Sequence, residues 1–172
     1  NTQYSLTLIL ELEEEQKVYY YTTILWNDDL HIAEILEFAT DFHGKLYDKE
    51  AAKELTKYLE PNSKLTDNGT FHKVNIHSSF QQITWGSLEP AQENAASIRL
   101  VQVNGNVASL LMDFTVSTGE GKNKISYSVE EYYRVRYTSE RMYLLDYERT
   151  MTQIPDTGRM YANDKILLGI TD

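Results

Sequence analysis

The sequence predicts an α+β fold: a strongly curved antiparallel sheet, formed by a four-stranded C-terminal meander, packed on two N-terminal helices and preceded by a β-hairpin. From Lys124 to Tyr137 the chain alternates, with Ile125, Tyr127, Val129, Tyr133, Val135 and Tyr137 on one face and Lys124, Ser126, Ser128, Glu130, Arg134 and Arg136 on the other. A period of two over this length specifies a long strand with one face on a core and one in water. Glu131 and Tyr132 alone break the rule. Between residues 30 and 60 the period changes to about four, as an amphipathic helix requires. The strand-like runs follow one another through short turns, so they pair antiparallel.

Tyr4, Leu6, Leu8, Leu10 and Leu12 alternate with Ser5, Thr7 and Glu11, the acidic stretch from Glu13 turns the chain, and Val18 to Trp26 returns as a second strand. This is a hairpin with a charged loop. Asn27, Asp28 and Asp29 offer N-cap oxygens for a helix with the stripe Ile32, Ile35, Leu36, Ala39 and Phe42, and Gly44 is a natural stop. Asp48 can cap a shorter helix with Ala51, Leu55, Tyr58 and Leu59 inward, ended by Pro61. Residues 62–96 carry no readable period: Asn62 to Thr70 is a polar loop, Val74, Ile76, Phe80, Ile83 and Trp85 are spaced irregularly, and Glu89 to Ala96 reads as a loop.

The meander follows. Ile98 to Val103 is a strand and Asn104-Gly105 a two-residue hairpin signal. The next strand places Ala108, Leu110, Met112, Phe114 and Val116 on one face, and Gly119-Glu120-Gly121 turns into the long strand. Thr138-Ser139-Glu140 turns out of it into a last strand with Tyr143, Leu145, Tyr147 and Met151 inward. The core expected from these faces is Ile125, Tyr127, Val129, Val135, Leu110, Met112, Phe114, Leu145, Ile35, Leu36, Phe42 and Leu55. Beyond Pro155 a loop-like tail carries Ile166-Leu167-Leu168, which is expected to dock back or to continue into further sequence. The expected organisation is one domain over 1–172, with the hairpin at 1–27, helices at 28–60, meander at 97–151 and tail at 152–172.

A chain of 172 residues suits one domain with a substantial core. Its 13 tyrosines fit a pleated, half-exposed surface. A net charge of −10 argues against nucleic acid or anionic lipid as a partner of the whole domain, because binding there needs a basic surface that displaces counterions. No cysteine is present, which excludes a thiol nucleophile, a thiolate zinc site and a disulfide scaffold. No run reaches the ~20 apolar residues of a membrane span. The chain opens at Asn1 rather than at a methionine, so a processed protein or an expressed fragment, with an anchor removed, is the expectation.

Few residues announce chemistry. His31, His43, His72 and His77 form no i, i+4 pair with a glutamate, so they read as surface or loop histidines and not as metal ligands. There is no Gly-x-Ser-x-Gly elbow, and Gly119-Glu120-Gly121 is a turn without the helix of a dinucleotide site. Asn68-Gly69-Thr70 matches the N-glycosylation pattern, to which little weight attaches in a chain without disulfides. The carboxylates Asp113, Glu131, Asp146 and Glu148 lie on strands, and Glu131 with Tyr133 and Tyr147 can be drawn as a cavity acid with tyrosine partners. The structural alternative is an edge or rim residue where the strand leaves the core. That alternative is the expectation, with no catalytic, cofactor-binding or metal-binding residue assigned. A buried Glu131, Asp113 or Asp146 with a strongly raised pKa would reverse it.

Helix, helix, then a bent four-stranded meander, with Leu55-Thr56-Lys57-Tyr58-Leu59-Glu60-Pro61-Asn62-Ser63 closing the helical part, resembles the nuclear transport factor 2-like (cystatin-like) superfamily over about residues 30 to 151. Within it the layout is most similar to the extracytoplasmic domain of VirB-eight and TcpC-like proteins of Gram-positive conjugation (type IV secretion) systems: a strand pair at Thr2 to Trp26, helices at Leu30 to Leu59 and a meander from Ile98 to Met151, ending near Pro155. The resemblance implies a non-catalytic scaffold on the outer side of a Gram-positive membrane, held by a single-pass anchor. Its partners would be other secretion-channel or envelope proteins, or further copies, with no cofactor. The C-terminal domain of TcaA-like envelope proteins has a similar helix exit but usually a tryptophan on its last strand, and Leu144-Leu145-Asp146-Tyr147 has none. An isomerase- or cyclase-like enzyme with a cavity acid is the competing class.

Overall fold

The computed structural model describes residues 2–13, 16–26, 30–62, 70–155, 161–162 and 165–166. The chain divides into two compact units, Asn1–Leu30 and His31–Asp172.

The first unit is a two-stranded antiparallel ribbon, β1 (Thr2–Glu11) with β2 (Lys17–Trp26), paired without a slip from Thr2 opposite Trp26 to Glu11 opposite Lys17. The strands end and resume at the expected positions, with Leu12 N–H bonded to the Gln16 carbonyl between them, while Glu14 and Glu15 of the charged loop lie outside the described residues. The alternation does not translate into one buried face: Leu8, Ile9 and Leu10 are consecutive and all exposed, as are Tyr19, Tyr20 and Tyr21. Successive strand residues point to opposite faces, so both faces of the ribbon are apolar and open.

The second unit is an α+β body with an open antiparallel sheet of order β3-β8-β7-β6-β4, in which β5 also pairs with β6. The strands are β3 (Lys73–Asn75), β4 (Ala91–Gln92), β5 (Ser97–Asn104), β6 (Val107–Thr118), β7 (Ile125–Tyr137) and β8 (Met142–Gln153). β5 to β8 form the expected meander, each strand hydrogen-bonded to the next. Ala108, Leu110, Met112, Phe114, Val116, Val129 and Val135 are buried on one face, as alternation requires. Helix α1 (Ile32–Lys45) lays Ile35, Ala39 and Phe42 against them, each fully buried, with Phe42 meeting the rings of Tyr133 and Tyr147 at 5.7 and 5.3 Å.

Several local expectations need correction. The expected cap residues Asn27, Asp28 and Asp29 lie outside the described residues, and the residue at the helix start is His31 in the left-handed region (φ 50°), its ring bonded to Glu34. Gly44 falls inside the helix, which runs to Lys45. The second helix is a 3-10 helix, Ala51–Tyr58; Asp48 Oδ1 accepts from the amides of Glu50 and Ala51 as foreseen, but Ala52 rather than Ala51 is buried with Leu55. Three residues per turn put 52, 55 and 58 on one line, whereas the α-spacing chose 51.

The hairpin turn between β5 and β6 is Gly105-Asn106 and not Asn104-Gly105, since Asn104 pairs with Val107. Gly105 takes φ 58°, the glycine-first geometry of a tight hairpin. On β8, Leu145 is 40% exposed and Leu144 buried, the reverse of the expectation. The cause is a bulge: Arg134 opposes Asp146 but Val135 opposes Leu144, so one extra residue shifts the phase of the strand's start. Ile125, Tyr127 and Leu36 are half-buried rather than core.

The unreadable stretch 62–96 supplies β3, β4 and the four-residue helix α2 (Phe80–Ile83), and β4 lies within the expected loop 89–96. α2 begins with a capping box, Ser79 with Gln82. Tyr161–Ala162 and Lys165–Ile166 form a small ladder, β9 with β10; the docking expected of Ile166-Leu167-Leu168 lies outside the described residues, as does the Asn68-Gly69 part of the glycosylation pattern.

Candidate functional site

The residue that breaks the alternation of β7 is the centre of the molecule's interior. Glu131 keeps the inward phase of Val129 and Tyr133 and is fully buried. The edge or rim reading is therefore wrong. A carboxylate cannot enter an apolar core without partners, and Glu131 has three. Tyr133 Oη donates to Oε2 at 2.7 Å, Tyr147 Oη donates to Oε1 at 3.1 Å, and His43 Nδ1 donates to Oε2 at 2.8 Å. The register explains the convergence: Tyr147 of β8 lies opposite Tyr133, and Arg149 lies opposite Glu131, so four inward side chains form a square on two strands. His43 comes down on it from the last turn of α1.

His43 corrects the histidine reading. Its second nitrogen, Nε2, meets Gln92 Oε1 on edge strand β4 at 3.2 Å, and Gln92 Nε2 donates to the Asn94 carbonyl at 2.9 Å. With an oxygen at each nitrogen, the imidazole donates twice, which is its charged form. The ring packs edge-on to Phe114 at 4.7 Å and Tyr47 at 5.5 Å. The other three histidines are at the surface, as expected: His31 stacks on Tyr137, and His72 and His77 bond the carbonyls of Met151 and Glu60.

Burial works to lower the His43 pKa, but the hydrogen bond and charge of Glu131 outweigh it and leave it above the ordinary 6.5. Burial works to raise Glu131, but the hydrogen bond and charge of His43, the Arg149 field and the Tyr133 hydroxyl hold it below the ordinary 4.5. The two directions describe one object, a buried ion pair. Burial, then the Glu131 charge, push both tyrosine hydroxyls well up, so they remain donors.

Arg149 was not foreseen. Its side chain is fully buried, Nη1 donates to the Ile83 carbonyl at 2.9 Å and Nη2 to the Gln82 carbonyl at 2.8 Å, closing the C-terminal end of α2. The guanidinium lies 3.4 Å from the centre of the Trp85 ring. Trp85 itself sits at φ 64°, with Gly86 N–H bonded to the Gln81 carbonyl. This is the left-handed position after a helix that glycine usually fills. A tryptophan there costs about 1–2 kcal/mol of backbone strain, which stacking against Arg149 offsets.

The remaining candidates are not in the interior. Asp113 is on the outer face of β6, bonded by Arg99 at 2.9 Å, and Glu148 pairs with Lys73 at 2.9 Å on the outer face of β8. Asp146 is exposed. No family model, curated protein or solved structure matches the chain. Among the described residues no cluster of three His, Asp or Glu side chains is arranged to hold a metal ion, and no helix is long and apolar enough to cross a membrane.

Chemically, the site is a saturated network. Glu131 accepts from three side chains and carries a depressed pKa, so it is a weak base and a worse proton donor. Its charge is directed at fixing α1 to β7 and β8. A pH dependence follows from the two directions. His43, raised, contributes stability that is complete below its unfolded pKa and is lost as pH climbs through the folded value. Glu131, lowered, contributes stability that is present above its unfolded pKa and is lost as pH falls through the folded value. The pair is therefore fully effective between the ordinary values of 4.5 and 6.5 and weakens on both sides. In an NMR titration the His43 ring protons should show a midpoint above 6.5. A midpoint at or below it would mean that no ion pair forms.

Proposed function

We propose that the protein is a non-catalytic scaffold domain that acts through protein contacts, assembling a conjugative secretion channel on the outer side of a Gram-positive membrane. The observation that carries the contact role is the ribbon of residues 2–26. A two-stranded ribbon is marginal by itself in water. This one exposes Leu8 (53%), Ile9 (54%) and Tyr21 (76%) on opposing faces, an arrangement typical of surfaces that meet another protein. Edge strand β5 adds Ile98, Leu100 and Val101, also exposed. The specific setting rests on the layout of strand pair, helices and meander, together with the curvature proposed for the sheet of the nuclear transport factor 2-like superfamily.

The experiment is to replace Leu8, Tyr19 and Tyr21 together with threonine in the full chain. Threonine keeps the strand propensity and removes the apolar contact. In a host carrying the conjugative element, plasmid transfer should be lost while growth and the thermal transition of the purified protein stay unchanged. Transfer at the parental frequency would sink the proposal.

A second reading has one observation behind it. The His43–Glu131 pair has the form of an imidazole oriented by a buried carboxylate, as a small enzyme with a cavity base would need. The His43 titration separates the two: a base working at neutral pH requires a midpoint near or below neutrality, whereas an imidazolium locked into an ion pair stays charged.

A further inference from the structure

Among the described residues, four buried polar side-chain atoms have no hydrogen-bond partner: Tyr47 Oη, Trp85 Nε1, Arg149 Nε and Arg136 Nε. Three of the four belong to adjoining side chains. Arg149 lies on the Trp85 ring at 3.4 Å, and the Tyr47 and Trp85 rings are 5.7 Å apart, tilted by 34°. Arg149 is fully buried and Trp85 is 2% exposed, so water cannot reach these donors freely. Native interiors leave few such groups unpaired, so three on adjoining side chains call for a partner.

The charge of the surroundings says what kind of thing. The interior holds one carboxylate, Glu131, and two cations, Arg149 and a doubly donating His43. Glu131 is committed to His43 and the two tyrosines, and Arg149 makes no ion pair among the described residues. The α2 carbonyls and the indole face offset the guanidinium charge in part, but its Nε–H is left over and the cluster sums to +1. A monovalent anion neutralises that sum, while water would satisfy the donors and leave the charge. The donors are spread over three side chains, an indole N–H, a guanidinium N–H and a phenol O–H. A carboxylate brings two oxygens and about four lone-pair sites in one plane to these three donors, which suits them better than a single spherical ion.

We propose that Arg149, Trp85 and Tyr47 form a binding site for a small monocarboxylate, approached from the side of Tyr47, which is only half-buried. The strained backbone at Trp85 fits this role, because it holds the indole in place against the guanidinium before any ligand arrives. The site lies within the second unit, and the proposal does not rest on the scaffold reading.

The test uses the full-length chain labelled with nitrogen-15, following the indole N–H of Trp85 and the Nε–H of Arg149. Sodium formate, formamide and sodium chloride are titrated separately. Formate should shift both resonances saturably, with a Kd of about 1 mM or tighter, and formamide and chloride should not. Tyr47→Phe keeps the ring and removes one donor, and should weaken formate about tenfold. Trp85→Phe, made in parallel, should weaken it similarly while the Arg149 resonance still reports. Equal shifts with formamide would mean a site for any polar molecule, and equal shifts with chloride a site for any anion; either overturns the proposal. So does the absence of a saturable shift in a protein whose spectrum is otherwise folded.

Discussion

Glu131→Ala should cost the domain about 3–5 kcal/mol, more than its partner substitution His43→Ala. The asymmetry comes from what each change leaves behind. Without Glu131 the interior keeps two cations, His43 and Arg149, and the imidazole and the two tyrosine hydroxyls lose the carboxylate they donate to. His43 can escape by losing its proton, but Arg149 cannot, because guanidinium does not deprotonate in proteins. Without His43, Glu131 still has both hydroxyls and the field of Arg149 across the strand pair. Glu131→Gln should fall between the two, since it keeps the volume and loses the charge. Urea unfolding of each variant gives the answer: the midpoints should fall in the order Glu131→Ala, Glu131→Gln, His43→Ala, lowest first, with unchanged slopes. A Glu131→Ala variant within about 1 kcal/mol of the parent would show that the network is not a source of stability.

How much of this was legible in the residues differs from element to element, for physical reasons. The meander was readable because the period of two survives along most of β6 and β7. Glu131 was visible as the break in that period; what could not be read was whether the strand leaves the core there or carries the acid into it. Deciding that needs the partners, and they are distant in sequence. His43 lies 88 residues away, yet it had a signal: it is four residues beyond Ala39 and eight beyond Ile35, on the same helical stripe. A polar residue on an apolar stripe and a polar residue on an apolar strand face are candidates to find each other. Arg149 carried the same signal, two residues from Tyr147 on the inward phase of β8. The bulge at Leu144 and Leu145 had none, because it depends on the facing strand. Residues 62–96 could not be parsed because their described elements are two to four residues long, too short for a helical period to repeat or an alternation to show.

Arg149→Ala is the other change with a large expected cost, about 2–6 kcal/mol, from two orphaned carbonyls rather than from a broken ion pair. Glu131 keeps its imidazolium partner, so the interior carboxylate stays paired. The loss falls on α2 and the turn after it. The carbonyls of Gln82 and Ile83 lose their donors inside the protein, and each unsatisfied group costs about 1–3 kcal/mol. Trp85 loses the guanidinium beneath which it is stacked, and with it the contact that offsets its left-handed backbone. Arg149→Lys should recover less than half of the loss, because a point charge with tetrahedral donors cannot bond two carbonyls in one plane and lie flat on an indole. The damage should also be local. Hydrogen exchange of the α2 amides should rise well before that of β6 and β7, since four helical residues held at one end by a single side chain form a low-stability unit. Fluorescence offers an independent reading in a Trp26→Phe background, where Trp85 is the one remaining tryptophan: its emission should move to the red in Arg149→Ala. Emission unchanged, with α2 protected as in the parent, would mean that the capping box at Ser79 and Gln82 holds this segment without the arginine.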